Sequence, residues 1–267
     1  MSLNKRATLR VSLVIPVYNQ LAYTRQCLES IQRLPDQADE VIVVDNASTD
    51  GTDEYLKQVG VMVIHNSTNL GCAKAWNQGI RSSSGDVIGI LNNDIVVTPQ
   101  WLPSLLTFMQ ETGHGIVSPS MREGPLNYEI DRYAAEFTTA CRKATRPGFL
   151  GPCILVRREV FDRIGLFDEE FSFGGCEDTD FLWRAQQAGI TAGITGSAFI
   201  HHFGMVTQNA IKRHEYKTYP SLNLEYFLRK WGRTVRGNWL QRRWAGLQEA
   251  WRNNFERLRY GHTLVEK

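Results

Sequence analysis

The sequence predicts an α/β fold, a doubly wound and mostly parallel sheet flanked by helices. Three observations predict it. Short apolar runs alternate with stretches of helical spacing through the first half of the chain. The first run, Val11–Val17, is almost continuously apolar, as expected of a parallel strand buried on both faces. The runs also end in polar residues, at the sheet edge where open α/β folds put their ligands.

The elements follow in order. After Val11–Val17, residues 21–31 have helical spacing through Leu21, Cys27 or Leu28, and Ile31. Residues 41–44 form the second strand. Ser48-Thr49-Asp50-Gly51 then makes a turn that can cap a helix starting at Thr52. A third strand covers 61–64, a helix 73–80, and a fourth strand Val87–Leu91. A helix over 100–112 and a fifth strand over 115–119 continue the alternation. Residues 122–150 mix proline, glycine and charge without a period, and are expected to form a loop-rich insertion beside the site. Regular structure resumes with a strand over 153–156, a short helix over 158–164, and an amphipathic helix opened by the cluster Cys176-Glu177-Asp178-Thr179-Asp180.

At 267 residues the chain suits one large domain, or one domain with an appendage. With 42% hydrophobic and 22% charged residues its composition is that of a soluble globular protein. Lys5, Arg6 and Arg10 precede only a seven-residue apolar strand, so no secretion signal is expected, and no apolar run is long enough to span a membrane. The five cysteines are odd in number and show no paired spacing. They read as reduced thiols of a cytoplasmic protein, not as a disulfide framework or zinc site.

The net charge of +2 conceals an asymmetry. Residues 208–267 carry 13 Lys and Arg against 5 Asp and Glu, and four of the seven tryptophans. This marks a boundary between residues 1–207 and a basic, aromatic C-terminal extension. Within it Leu240, Trp244, Leu247, Trp251, Phe255 and Leu258 recur at three- and four-residue intervals, while Arg242, Arg243, Arg252, Arg257 and Arg259 take other directions. Such a helix packs on its own domain or on a second copy as a homodimer, or lies on an anionic membrane surface, here at the inner face. Nucleic acid is not an expected partner, because no recognised binding module accompanies the charge.

The strand ends carry the chemistry. Pro16, Val17, Tyr18 and Asn19 close the first strand, Asp45, Asn46 and Ser48 the second, Asn69 follows the third, and Asn92-Asn93-Asp94 closes the fourth. Strand ends along one edge make one pocket rim. Asp45 can accept hydrogen bonds from a base or ribose, and Tyr18 can stack on a base. Asn69, Gly71, Lys74, Asn77 and Gly79 recur at near-helical intervals, which directs Lys74 toward a diphosphate. Asp94 can hold a divalent cation against phosphate oxygens. A carboxylate of the Glu177-Asp178 pair can act as general base. Each residue also has a plainer reading: a turn for Asp45 and Asn46, a solvated charge for Lys74, a helix cap for Asp94, Asp178 and Asp180. All of those would have to hold together, and the combination favours metal-assisted transfer from a nucleotide-activated donor.

These residues carry a resemblance. VSLVIPVYN (11–19), VIVVDNASTDGT (41–52), NLGCAKAWNQG (69–79), LNND (91–94), LVRREVF (155–161), GLFDE (165–169) and GGCEDTDFLWR (174–184) resemble, in order and spacing, the motifs of family 2 glycosyltransferases. The match runs from about residue 10 to about 205. It implies a GT-A fold, with a nucleotide-binding half over 10–120 and an acceptor half over 121–207. It also implies inverting transfer of a sugar from a nucleoside diphosphate to a glycan or lipid-linked acceptor, in cell-surface polysaccharide or glycoconjugate synthesis. By resemblance Asp45 contacts the base, Lys74 lies near the diphosphate, Asp94 binds Mg²⁺ or Mn²⁺, and Asp178, beside Glu177, deprotonates the acceptor. His201 and His202 match a position where one histidine completes the metal shell. The chain departs from the fullest family form in keeping one carboxylate, Asp94, where an Asp-x-Asp is common, and in ending its second strand Asp45-Asn46 where two acids are common.

Three rival classes fare worse. A nucleotidyltransferase brings a Gly-rich basic loop after the first strand, whereas residues 16–20 have none. An oxidoreductase of Rossmann type lacks its Gly-x-Gly-x-x-Gly there. A non-catalytic sugar-nucleotide or glycan-binding module has no need of both Asp94 and Asp178.

Overall fold

The computed structural model describes residues 9–35, 38–204, 206–214, 219–232 and 239–266. The side chains of Leu240, Arg242 and Arg243 in the basic extension lie outside the described residues.

The first half alternates as expected: β1 (Val11–Val17), α1 (Leu21–Gln32), β2 (Glu40–Asp45), α2 (Thr52–Val59), β3 (Met62–His65), α3 (Cys72–Ser82) and β4 (Val87–Leu91). Next come β5 (Ile95–Val97), α4 (Trp101–Thr112), β6 (Ile116–Glu123), α5 (Ile130–Cys141), β7 (Thr145–Pro147), β8 (Cys153–Arg157), α6 (Arg158–Ile164), α7 (Glu177–Gln187) and β9 (Ala192–His202). The chain ends in α8 (Val206–His214), α9 (Tyr219–Trp231), α10 (Trp239–Tyr260) and β10 (Val265–Glu266).

All strands join one sheet, ordered β3-β2-β1-β4-β8-β6-β9-β5, with β10 added on β6 and β7 on β9. The four strands from β3 to β4 are parallel. β8 then runs antiparallel to both β4 and β6, after which β6, β9 and β10 resume the common direction. Among the described residues only β5, β7 and β8 oppose it.

Alternation along the central strands feeds two cores. Leu13, Ile15 and Val17 of β1 meet Leu28 and Ile31 of α1, Leu56 of α2 and Leu105 of α4 on one face. Val14 of β1 and Ile88 and Ile90 of β4 meet Trp76 of α3, Phe161 of α6 and Phe181 of α7 on the other. A sheet sandwiched in this way holds its strand ends rigid, which positions a site along that edge.

Residues 122–150 correct the sequence reading. They are not mainly loop, because α5 occupies their middle and β7 follows. Ala134, Phe137 and Cys141 form a narrow apolar stripe packed on Ile194 and Phe199 of β9. The neighbouring threonines bond back to their own helix, Thr138 Oγ1 to the Ala134 carbonyl and Thr139 Oγ1 to that of Ala135, both at 2.7 Å. Those polar residues interrupt the pattern in the sequence without interrupting the helix.

The C-terminal segment returns to the sheet. β10 pairs with β6 at Met121 and Arg122. Before it, α10 docks by its polar face. Arg146 of β7, 5% exposed, grips Glu256 through Nε and Nη2 at 2.6 and 2.5 Å, Glu249 at 2.9 Å and Asn253 at 2.7 Å. Among the described residues no helix is long and apolar enough to cross a membrane.

Candidate functional site

At the carboxyl ends of β1, β2 and β4 the chain encloses a cavity of about 340 Å³, within the range of small-molecule sites. Pro16, Val17 and Tyr18 line one side as β1 gives way to α1. Asn46, Asn69 and Gly71 line it next to them. Asn46 is fixed by a hydrogen bond from Asn66 Nδ2 at 2.8 Å, and Asn69 Oδ1 accepts the Gly71 N–H at 3.0 Å. Gly71 has φ of 85°, and a β-carbon there would come within 2.8 Å of the Phe173 nitrogen. Glycine lets this turn touch the loop that leads into α7.

Asn92, Asn93 and Asp94 form the floor where β4 hands over to β5. Asn93 Nδ2 donates to Thr24 Oγ1 at 3.0 Å, which commits its amide to α1. Asp94 is 3% exposed. Its Oδ2 accepts the Val206 N–H at 3.0 Å, and its Oδ1 lies 3.4 Å from His202 Nε2. Burial alone would raise this carboxyl's pKa, but His202 and the Val206 N–H outweigh it and hold it below its ordinary value.

Strand alternation separates the two histidines. His202 faces the cavity, with its Nδ1 3.5 Å from Glu123 Oε2 on β6. His201, one residue earlier, faces the opposite side, where its Nδ1 meets Tyr128 Oη at 2.9 Å. Burial pushes the His201 pKa down to about 4, which keeps the ring neutral. Both ring nitrogens of His202 are buried without a hydrogen-bond partner. A buried orphan pair facing a carboxylate is a donor set that suits a divalent cation, with Asp94 and His202 as protein ligands and Glu123 behind the imidazole.

Across the cavity stand Glu177 and Asp178, at the start of α7. Asp178 Oδ1 accepts the Thr179 N–H at 2.6 Å, while its Oδ2 turns toward Gly151, where a β-carbon would come within 2.8 Å. Glu177 is buried, and its Oε2 has no hydrogen-bond partner. Burial, and then the charge of Asp178, raise its pKa from 4.5 to about 8. Glu177 therefore keeps its proton near neutral pH, beside Asp178 in the same cavity wall.

The remaining expected residues stand outside the lining. Asp45, 3% exposed, accepts the Ser48 N–H at 3.1 Å and lies 3.8 Å from His65 Nδ1 beside the cavity. With Asp53 and His65 it forms a second group of candidate ligand atoms within 4.8 Å of one another, and Asp53 already binds Lys57 at 2.6 Å. Asn19 and Ser48 tie the ends of β1 and β2, the Asn19 N–H donating to Ser48 Oγ at 2.7 Å. Asn77 is buried as a bracket, bonding the Phe167 backbone in both directions and Glu169 at 2.8 Å. Lys74 is exposed on α3.

Sequence reasoning missed Glu123, Gly151, Trp76 and Phe173, all in the lining. It also missed α9, which anchors the loop before α7. Asn223 Oδ1 accepts the Ser172 N–H at 2.9 Å, and its Nδ2 donates to the Ser172 and Gly174 carbonyls at 2.8 and 3.2 Å. Lys230 and Trp231 Nε1 hold the fully buried Asp180 at 2.8 and 2.7 Å. No motif in α9 announces this role.

Comparison with known proteins bears on the family and the fold. The profile described as glycosyl transferase family 2 matches residues 12–165. Glycosyltransferase AglE of Haloferax volcanii is 31% identical over 193 residues, 67% of this chain and 62% of that protein. The low-salt glycan biosynthesis hexosyltransferase Agl10 of the same organism is 28% identical, over 58% of this chain and 55% of its own. The chain thus covers less than two thirds of these relatives. Among solved structures, the mannosyltransferase PcManGT of Pyrobaculum calidifontis, in complex with GDP-Man and Mn²⁺, superposes with a TM-score of 0.61 at 20% identity, covering 83% of this chain and 65% of that one. GalNAc-T7 with UDP, GalNAc and Mn²⁺ gives a TM-score of 0.60 at 17% identity, covering 74% and 44%. The fold is that of GT-A glycosyltransferases.

Proposed function

The chain belongs to glycosyl transferase family 2, and from that premise we propose that it transfers a sugar from a nucleoside-diphosphate donor to an acceptor hydroxyl with inversion at the anomeric carbon. The observation that carries the reading is that Asp94 and His202 share one cavity with Asp178. In this reading Asp94 and His202 hold Mg²⁺ or Mn²⁺, which supplies positive charge to the leaving diphosphate when bound. Asn46, Asn69 and the turn at Gly71 shape the nucleotide side, with Asp45 beside it and Lys74 further out on α3.

Asp178 is the general base. A sugar hydroxyl is a poor nucleophile near neutral pH, so its proton must pass to an acceptor as attack proceeds. Asp178 Oδ2 is the free oxygen for that transfer, because Oδ1 is engaged by Thr179. Attack from the face of the sugar opposite the diphosphate inverts the anomeric centre. Glu177, kept neutral beside it by burial, adds no second negative charge where the acceptor approaches. The acceptor in this reading is a glycan or lipid-linked hydroxyl of cell-surface polysaccharide or glycoconjugate synthesis.

The test is a screen of nucleotide sugars with Mn²⁺ by thermal shift, followed by donor hydrolysis with the best ligand. Stabilisation by one nucleotide sugar and metal-dependent release of its diphosphate is the expected result. Binding with no turnover of donor in any acceptor mixture would leave a binding module and overturn the transferase reading.

A further inference from the structure

We propose that the outer face of α10 is a docking surface for an anionic lipid bilayer. Trp244, Leu247, Trp251, Phe255 and Leu258 are 66%, 56%, 69%, 42% and 90% exposed. At 3.6 residues per turn their side chains leave the helix within an arc of about 80°. Glu249, Asn253 and Glu256, which Arg146 grips, leave from nearly the opposite direction. The helix therefore inverts the usual arrangement: its polar face is buried on the domain and its aromatic face is turned to solvent. A contiguous apolar stripe of this size on a folded surface marks an interaction site.

Charge selects the occupant. The two acids among the described side chains of α10, Glu249 and Glu256, are both paired with Arg146 on the inner side. Arg259 is exposed beside the stripe, while Arg257 leaves further round the helix, toward Gly261 and His262. Arg259 also lies over the Phe255 ring at 5.8 Å. A second copy bound by a two-fold axis would set this face against itself, arginine toward arginine with no acid to answer. An anionic bilayer answers Arg259 with lipid phosphates, and tryptophan rings suit the headgroup level.

The docked face connects directly to the catalytic region. A short turn after Tyr260 leads into β10, where Val265 pairs with Met121 of β6, and Met121 and Glu123 line the cavity. On the transferase reading this arrangement suits an acceptor carried by a lipid; the docking itself stands without it.

The experiment is flotation of the full chain with vesicles of equal phosphatidylglycerol and phosphatidylcholine, beside vesicles of phosphatidylcholine alone. The chain is expected to float with the anionic vesicles, to lose about fivefold in partitioning for Arg259→Gln, and to stay in solution when Trp251→Asp and Leu258→Asp are combined. Both apolar positions are exposed, so the melting temperature of that variant should match the parent. Brominated lipid in the anionic vesicles should quench tryptophan fluorescence of the unmodified chain, a readout that needs no variant. Failure to float with anionic vesicles, or absence of quenching, overturns the proposal. So does a stable dimer in solution that the double variant dissolves while neither protein binds vesicles. None of these results depends on transfer activity, so the proposed function stands or falls separately.

Discussion

Asp94 Oδ1 and His202 Nε2 stand 3.4 Å apart in the cavity wall, and neither nitrogen of that imidazole has a hydrogen-bond partner. Folding has buried this ring between two carboxylates, Asp94 at 3.4 Å and Glu123 at 3.5 Å, without a hydrogen bond to either, an arrangement that a cation would complete. The expected ligand is a divalent cation. Titration calorimetry should show Mn²⁺ binding that His202→Ala and Asp94→Ala each abolish. Glu123→Gln should weaken it about 10- to 100-fold, because the carboxylate behind the ring sets its orientation. His201→Ala should leave metal affinity unchanged. Equal losses at His201 and His202 would overturn this assignment.

The base assignment has a two-part test. Asp178→Asn should lower kcat by about 10²- to 10⁴-fold with little change in donor affinity. Gly151→Ala attacks the same carboxylate from outside, since its β-carbon would come within 2.8 Å of Asp178 Oδ2. It should lower kcat in the same direction without removing any polar group. Full activity in both variants would remove Asp178 from the reaction.

Glu177 gives a pH signature in stability. Its pKa rises from 4.5 to about 8 on folding, through burial first and the Asp178 charge second. Between those values the folded chain keeps a proton that the unfolded chain releases, so stability falls as pH rises through the interval. Glu177→Gln removes that dependence. The variant should melt at a temperature near the parent's at pH 5 and above it at pH 8. The difference at pH 8 is at most a few kcal/mol, since a tenfold change in proton affinity is worth about 1.4 kcal/mol. A parent whose melting temperature rises from pH 5 to pH 8 relative to the variant contradicts the buried neutral acid.

The first half of the fold was legible because β1 and β4 are buried on both faces and therefore read as unbroken apolar runs. The reversal at β8 was not, since nothing in a four-residue apolar run encodes the direction in which it enters a sheet. The strand ends drew attention to the cavity, yet their individual side chains split. Asn46 and Asn69 line it, whereas Asn19 and Ser48 are consumed in joining two turns. On α3 the spacing was readable but the rotation was not: Asn77 turns inward to the Phe167 backbone and Lys74 outward. Glu123 was invisible because a lone acid at a strand end gains meaning only when β9 brings His202 opposite it in the register of the pair.

Arg146 tests how the C-terminal segment is held. It is buried with Glu256, and the same carboxylate accepts the Leu264 N–H at 2.9 Å on the way to β10. Arg146→Met strands a buried carboxylate and should cost about 3–5 kcal/mol. Arg146→Met combined with Glu256→Met removes both charges and should recover much of that loss. Thermal denaturation of the two variants checks the pair, and an equal melting temperature for Arg146→Met and the parent would contradict it.

Asn223 lies outside the cavity lining, and its variant separates positioning from chemistry. Its amide bonds Ser172 in both directions and reaches the Gly174 carbonyl, so α9 fixes the strand of loop that puts Phe173 and Gly175 in the cavity wall just before Glu177. Asn223→Ala takes this partner from the Ser172 N–H and the Gly174 carbonyl, a cost of about 1–3 kcal/mol for each that remains buried, while the Ser172 carbonyl keeps the Gly174 N–H at 2.6 Å. The loop should then become the first site of proteolytic cleavage, and kcat should fall while Mn²⁺ affinity at Asp94 and His202 stays at the parent value. Asn223→Asp keeps the acceptor for the Ser172 N–H but loses both donations, and should therefore recover only part of the protection. A fall in metal affinity as large as the fall in kcat would mean that the whole site had loosened, and would contradict a role confined to the base-bearing loop.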